Sequence, residues 1–312
     1  FLDLGLQPLA NYYLKKSQTK KKQKKYRLIV CFNKKNYLVS IKKTFPSKMM
    51  FNNEYPYRSS MSKTMNDSFK ELSKKIKKNF APKNILEIGS NDGSFLKNFD
   101  KKISIGIEPC ANIEKITKKQ KFNTISKYWD YELAKKLKKK IDNFDLIYSA
   151  NTITHIKNLN NVFKSINLVL SENGVLILED PSLLECLKRN TYDQFYNEHI
   201  YVFSTIALKK ILKKFNLEIF KIEKLPIHGG SNRYYIKKRN SMRKIENSVK
   251  VEEKREIKYG LKNINTYLKF KKRVHESKKK LISIFSKCKK DNKKIIGYGA
   301  TAKSTTILNY CK

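Results

Sequence analysis

Tyr196, Glu198 and His199 stand within four positions of one another in the stretch FYNEHIYVFS. Histidine is the side chain whose charge changes nearest neutral pH, which suits it to take a proton from a substrate. A His between a Glu and an apolar run also reads as a packed core residue, and the local sequence leaves both readings open. A second set begins where the apolar run ILEI ends in Glu87-x-Gly89-Ser90-Asn91-Asp92-Gly93 and passes into a helical stretch at about Ser94. Glycines there let backbone amides approach a ligand closely at the carboxyl end of a strand. The spacing is not GxGxxG, because Asn91 and Asp92 fill the turn where a pyrophosphate needs uncharged backbone. A cationic ligand tolerates a carboxylate there. Glu108 ends the next apolar run, nineteen residues after Gly89, where an acid commonly accepts the two hydroxyls of a ribose. Asn151 and His155 follow a further run, in SANTITHIKNL, and read equally well as a capping Asn and a surface His.

The elements that would hold these residues follow from the apolar pattern. Residues 67–80 place Phe69, Leu72, Ile76 and Phe80 at helical spacing behind Asp67, and Pro82 stops the helix. Short β-type runs then alternate with helical ones: 85–88, 103–108, 122–125, 144–150 and 174–180. That alternation predicts a parallel sheet with helical crossovers, an α/β architecture. Runs 217–225 and 231–238, joined through His228, Gly229 and Gly230, predict an antiparallel closing pair. Before this core, RLIVCF and NYLVSI predict a small hairpin within a module over 1–66. After it, residues 242–290 predict a long helix or helical pair, and KKIIGYGATAKSTTILNYC a new strand, a Gly-containing turn and a helix. The domains are thus 1–66, 67–240 and 241–312.

Composition narrows the function. A chain of 312 residues can bury a sizeable core over two or three domains. No run of eighteen apolar residues and no signal-type start occurs, so a cytoplasmic protein without a membrane partner is expected. The five cysteines are odd in number and never form CxxC, which argues against a disulfide framework or a self-contained metal site. The net charge of +42 suggests a polyanion, yet only eight of the 69 basic residues are Arg, the residue suited to base-edge and bidentate phosphate recognition. The lysines are spread along the whole chain, so no specific nucleic-acid partner is expected. Nothing in the sequence sets an oligomeric state.

The Gly-rich turn followed by a strand-terminal acid resembles motifs I and II of class I S-adenosylmethionine-dependent methyltransferases. Five further stretches, LGLQPLANYYL, YPYRSSMS, FYNEHIYVFS, HGGSNRYYI and GYGATAKS, resemble those of the sugar C-methyltransferases and stand in the same order. The resemblance covers essentially the whole chain and implies a Rossmann-like sheet, a small N-terminal module and the beginning of a C-terminal α/β domain. It implies S-adenosylmethionine held by Glu87, Gly89, Ser90, Asn91, Gly93, Glu108 and Asn151. It also implies a nucleotide-linked keto-sugar substrate contacted by Tyr55, Tyr57, His228, Ser231, Arg233, Tyr298 and Lys303. His199 would be the base that removes a proton beside the ketone, with Glu198 and Tyr196 contacting substrate. The resulting enolate would attack the sulfonium methyl.

Three departures stand out. Asn197 replaces the first His of the motif. The family's N-terminal module binds zinc through two Cys pairs, but here the first pair would precede Phe1 and the second is reduced to Cys31, with Lys34 in the partner's place. One thiolate cannot make a tetrahedral site, so no metal is expected. The family's C-terminal domain continues past GYGATAK and there is no initiator Met, so the chain reads as cut short at both ends. Two other functions stay open: methylation of RNA or another polyanion, favoured by charge alone, and an inactive module that binds the donor without turnover.

Overall fold

The computed structural model describes residues 1–18, 20, 23–299 and 301–312. In chain order the strands are β1 (Leu2–Gln7), β2 (Tyr26–Phe32), β3 (Val39–Ile41), β4 (Ile85–Ile88), β5 (Ser104–Ile107), β6 (Thr124–Ile125), β7 (Phe144–Ala150), β8 (Leu170–Pro181), β9 (Tyr201–Val202), β10 (Leu217–Leu225) and β11 (Ser231–Lys238). The helices are α1 (Ser47–Met50), α2 (Lys63–Asn79), α3 (Ala111–Lys119), α4 (Tyr131–Ile141), α5 (Leu159–Val169), α6 (Leu183–Arg189), α7 (Thr205–Lys213), α8 (Asn247–Tyr259), α9 (Ile264–Lys290) and α10 (Ala302–Tyr310).

Strands β4 and β5 are buried at every position, as expected of central parallel strands covered on both faces. The seven-stranded sheet runs β6-β5-β4-β7-β8-β11-β10. Strands β4 to β8 are parallel, and β11 enters antiparallel between β8 and β10. This is the class I methyltransferase arrangement, a Rossmann-like α/β fold. One face is covered by α2 through Met65, Phe69, Leu72 and Ile76, together with Phe95. The other is covered by α4, α5 and α7 through Leu133, Leu137, Val162, Phe163, Ile166 and Leu208.

A second, antiparallel sheet runs β1-β2-β3-β9. The hairpin expected from RLIVCF and NYLVSI is there, with Val30 opposite Ile41. Its fourth strand comes from residues 201–202, directly after the Tyr196–His199 segment. A separate core forms beneath it from Leu2, Leu28, Val30, Leu183, Leu187, Tyr267, Phe270 and Val274.

Two expectations need correction, and a third, left open between one long helix and a helical pair, is decided. Helix α2 starts at Lys63 rather than behind Asp67, because the Ser62 hydroxyl accepts the Met65 N–H and caps the helix one turn earlier. The 242–290 region is a helical pair, broken at Gly260, whose φ of +91° ends α8 in the left-handed conformation. No strand forms over 293–299: Ile295, Ile296 and Tyr298 are exposed there, with no neighbouring strand to pair with among the described residues. Residue 300, within GYGATAKS, lies outside the described residues. Among the described residues, no helix is long and apolar enough to cross a membrane.

Candidate functional site

A cavity of about 790 Å³ opens at the carboxyl ends of β4, β5 and β7 and is closed on its far side by the Tyr196–His199 segment. Its size falls in the range of small-molecule sites. At its floor, Gly89 has a φ of +77° and sits so close to the loop after β7 that a Cβ would collide with the Thr152 side chain. Gly93 has a φ of +78°, and a Cβ there would lie 3.1 Å from the Phe122 ring. Both positions need the missing side chain, so the tight turn read from the sequence has its physical reason.

Two carboxylates face this floor. The Glu108 oxygens accept the Asn91 and Cys110 amides at 3.0 and 2.9 Å. Burial pushes its carboxyl above the usual range, against the pull of those donors. Glu87 is fully buried in β4 and is pushed well up by burial, then by the charges of Asp92 and Glu108. Its Oε2 and the Ser90 hydroxyl have no hydrogen-bond partner among the described residues. Buried polar atoms left unpaired beside a cavity mark where a ligand would satisfy them. A cationic nucleoside with free hydroxyls suits the acidic lining, so Glu87 and Glu108 fit S-adenosylmethionine, whereas the Ser90 hydroxyl does not line the cavity and lies against Gly106 of β5. Asn151, with a φ of +50°, lines the same side.

Asn91 lines the cavity, but its side chain is engaged elsewhere. Its carbonyl accepts the Ser59 N–H at 2.8 Å and its amide donates to the Tyr57 carbonyl at 3.2 Å, while Asp92 accepts the Ser60 N–H at 3.0 Å. The pair stitches the YPYRSS loop onto the donor turn, bringing Tyr55 and Tyr57 to the cavity wall.

Across the cavity, His199 is held at both ring nitrogens. Nδ1 lies 2.9 Å from the Gln194 carbonyl, which can only accept, so Nδ1 carries the proton. Nε2 is then the acceptor for the Tyr196 hydroxyl at 2.7 Å. Burial, and next the neighbouring His155, hold the His199 pKa well below its usual value, so the ring is neutral. His155 is no surface residue. It lines the cavity between Phe51 and His199, with ring centroids 5.2 and 5.1 Å away, and burial lowers its pKa to about 4. Tyr55 and Tyr196 are both pushed well up by burial. Burial also raises Glu198 to about 8, while the Asn11 amide, 3.0 and 3.1 Å from its oxygens, pulls the other way. His228, lowered to about 4 by burial and then by Lys303, and Lys303 itself close the rim.

Five expected site residues do not line the cavity, Ser90 and Gly93 among them, both buried within the turn. Arg233 is buried in β11 and paired with Glu179 at 2.5 Å and Glu223 at 2.9 Å, so its fork is spent inside the fold. The Ser231 hydroxyl donates to the Ile227 carbonyl at 3.2 Å. Tyr298 stands fully exposed outside the cavity. Conversely, Asn11, Thr152 and Gln194 line the cavity without any local sequence signal. All five cysteines are free. No group of three or more His, Cys, Asp or Glu that could hold a metal ion occurs among the described residues.

The family model described as "Methyltransferase domain" matches residues 57–222, more than half of the chain. The model described as "C-methyltransferase C-terminal domain" matches 226–312. The C-methyltransferase NovU of Streptomyces niveus is 23% identical over 229 residues, covering 73% of this chain and 54% of NovU. The chain thus spans about half the length of that relative. Among solved structures, a Pyrococcus horikoshii protein is 18% identical over 58% of this chain and 94% of its own, with a TM-score of 0.46. The CurJ carbon methyltransferase is 15% identical over 58% and 55%, with a TM-score of 0.41. The fold rests on the strand order rather than on those two likenesses. Together with the donor-site geometry, the match over 57–222 makes the chain a member of the S-adenosylmethionine-dependent methyltransferase domain family.

Proposed function

We propose that the chain is a C-methyltransferase acting on a carbon next to the ketone of a nucleotide-linked deoxy-keto-sugar, with His199 as the base. The observation that carries the reading is the His199 ring, neutral and fixed with Nε2 as an acceptor, in the same cavity as the donor turn. NovU, a C-methyltransferase by name, and the match of residues 226–312 favour carbon as the acceptor atom. The division into a module over 1–66, a donor-binding domain over 67–240 and a further segment from 241 belongs to the same reading.

In this reading His199 takes the proton from the carbon beside the ketone at Nε2. The electron pair of that bond moves toward the ketone oxygen as an enolate. A weakly basic buried ring suits the task once an anionic substrate offsets the Lys303 charge, because a nearby negative charge raises histidine basicity. Tyr196 releases its bond to Nε2 as the substrate enters, and Tyr55, Tyr57, His228 and Lys303 line the substrate's path. S-adenosylmethionine, when bound, supplies an electrophilic methyl group. Holding both partners in one closed cavity supplies much of the rate.

The two steps separate experimentally. With a nucleotide-linked 4-keto sugar and the demethylated donor product in heavy water, the protein should exchange the proton beside the ketone for deuterium. His199→Asn should lower exchange and methylation together, within the ~10²- to 10⁴-fold range of a general base, and leave donor affinity unchanged. Wild-type exchange in that variant would remove His199 as the base.

A further inference from the structure

The segment that carries His199 is tied to the opposite end of the chain. The Asn11 amide spans both Glu198 oxygens at 3.0 and 3.1 Å. In return the Asn197 amide donates to the Pro8 carbonyl at 2.9 Å. The backbone repeats the link: the Ile41 N–H donates to the Ile200 carbonyl at 2.9 Å, and Val202 pairs with Val39 in the N-terminal sheet. Asn11 itself has a φ of +57°, a left-handed conformation that Asn tolerates better than most side chains. The carboxylate it meets is 1% exposed. Among the described residues, Tyr55 from the loop before α2, Tyr196 on the same segment and Cys110 at the start of α3 are titratable groups that feel its charge, and none of these three is charged near neutral pH.

We propose that Asn11 is a positioning residue of the active site, fixing through its carboxamide where the Glu198 carboxylate points in the cavity. The proposal rests on the reading of Glu198 as a site residue and extends the site to the N-terminal sheet. A buried carboxylate without a cation needs a donor to keep a defined orientation and to ionise at all. Asn11 provides that donor, and the Asn197 link holds the donor's loop in place. Asn197, which stands where the motif has a His, makes this link through its side-chain amide.

The test is a four-member cycle of the parent chain, Asn11→Gly, Glu198→Gln and the double variant, with unfolding free energies measured from pH 5 to 9.5. Glycine removes the carboxamide and accepts the left-handed backbone. A carboxyl whose folded value is raised contributes stability that is complete below the unfolded value and is lost as pH rises through the folded one, here about 8. Without the Asn11 donor that midpoint should move up by about one pH unit or more, so the loss continues to higher pH. Asn11→Gly should therefore cost more stability at pH 9.5 than at pH 6, and the pH dependence should vanish in the Glu198→Gln background. An equal cost at both pH values, or an unchanged slope with Gln at 198, overturns the proposal. Should Asn11→Gly fail to fold, Asn11→Asp enters the same cycle and must raise the midpoint at least as far. Deuterium exchange beside the ketone should fall tenfold or more in Asn11→Gly at unchanged donor affinity. Wild-type exchange in that variant also overturns the proposal. If the parent chain exchanges no deuterium, the keto-sugar reading fails, and the stability cycle alone decides the place of Asn11.

Discussion

Glu108 shows how a residue chosen by spacing is fixed by its surroundings. Its two oxygens each hold one backbone amide, so the carboxylate is fixed before any ligand arrives, with lone pairs left for ribose hydroxyls. Glu108→Ala should weaken donor binding about ten- to a hundred-fold, the cost of a lost charged hydrogen bond, with Glu108→Gln intermediate. Calorimetry finding the same Kd in the alanine variant would take Glu108 out of the site. The places of Glu108, Gly89 and His199 on the cavity were legible because each sits in a short local pattern. Asn11 was not, since its partner is 187 residues away, and Thr152 was silent because only the packing shows it against Gly89. Arg233 misled for the opposite reason: a basic residue beside a motif looks free until its two acids are seen across the strands.

At the scale of elements, the sequence was most legible where strands are buried on both faces. The runs 85–88 and 144–150 match β4 and β7 to the residue, because the apolar run and the buried span coincide. Two-residue β9 left no trace, being defined by its partner β3 alone, and the run at 293–299 failed as a strand for want of such a partner. The helices add a buried joint no pattern marks: Glu256 of α8 accepts the Thr205 and Ile206 amides at 2.7 and 2.9 Å, capping α7 from another element. Burial raises its carboxyl to about 7 against those two donors. The folded state therefore keeps a proton that the unfolded chain releases near 4.5. Its contribution is complete below that value and is lost as pH rises to about 7. Relative to Glu256→Gln, the parent chain should lose up to about 3 kcal/mol across that window. Denaturant titrations giving a pH-independent difference between the two would show that Glu256 ionises freely in the folded protein.

At the scale of the whole molecule, the fold must hold together 69 basic residues against 27 acidic ones. Many lie on helix surfaces such as the KKLKKK stretch of α4, where lysines are solvated and several pair with acids only three or four residues away. Such exposed pairs contribute at most about 1 kcal/mol each and leave most of the excess uncompensated. Self-repulsion of that size destabilises the compact state, because unfolding moves like charges apart. Salt shortens its reach, from about 30 Å at 0.01 M to about 8 Å at 0.15 M. Screening also weakens the surface pairs, but they are few beside the excess of lysines, so the repulsive part dominates. Raising sodium chloride from 0.01 to 0.3 M should therefore raise Tm by several degrees, a shift that corresponds to about 1 to 2 kcal/mol for a chain this long. Potassium chloride should act equally, since the effect depends on ionic strength and not on a bound ion. A polyanion such as RNA would bind the same surface and release its counterions, with an affinity that collapses over the same salt range. A Tm that stays flat or falls with salt would mean that this excess of lysines does not destabilise the compact state.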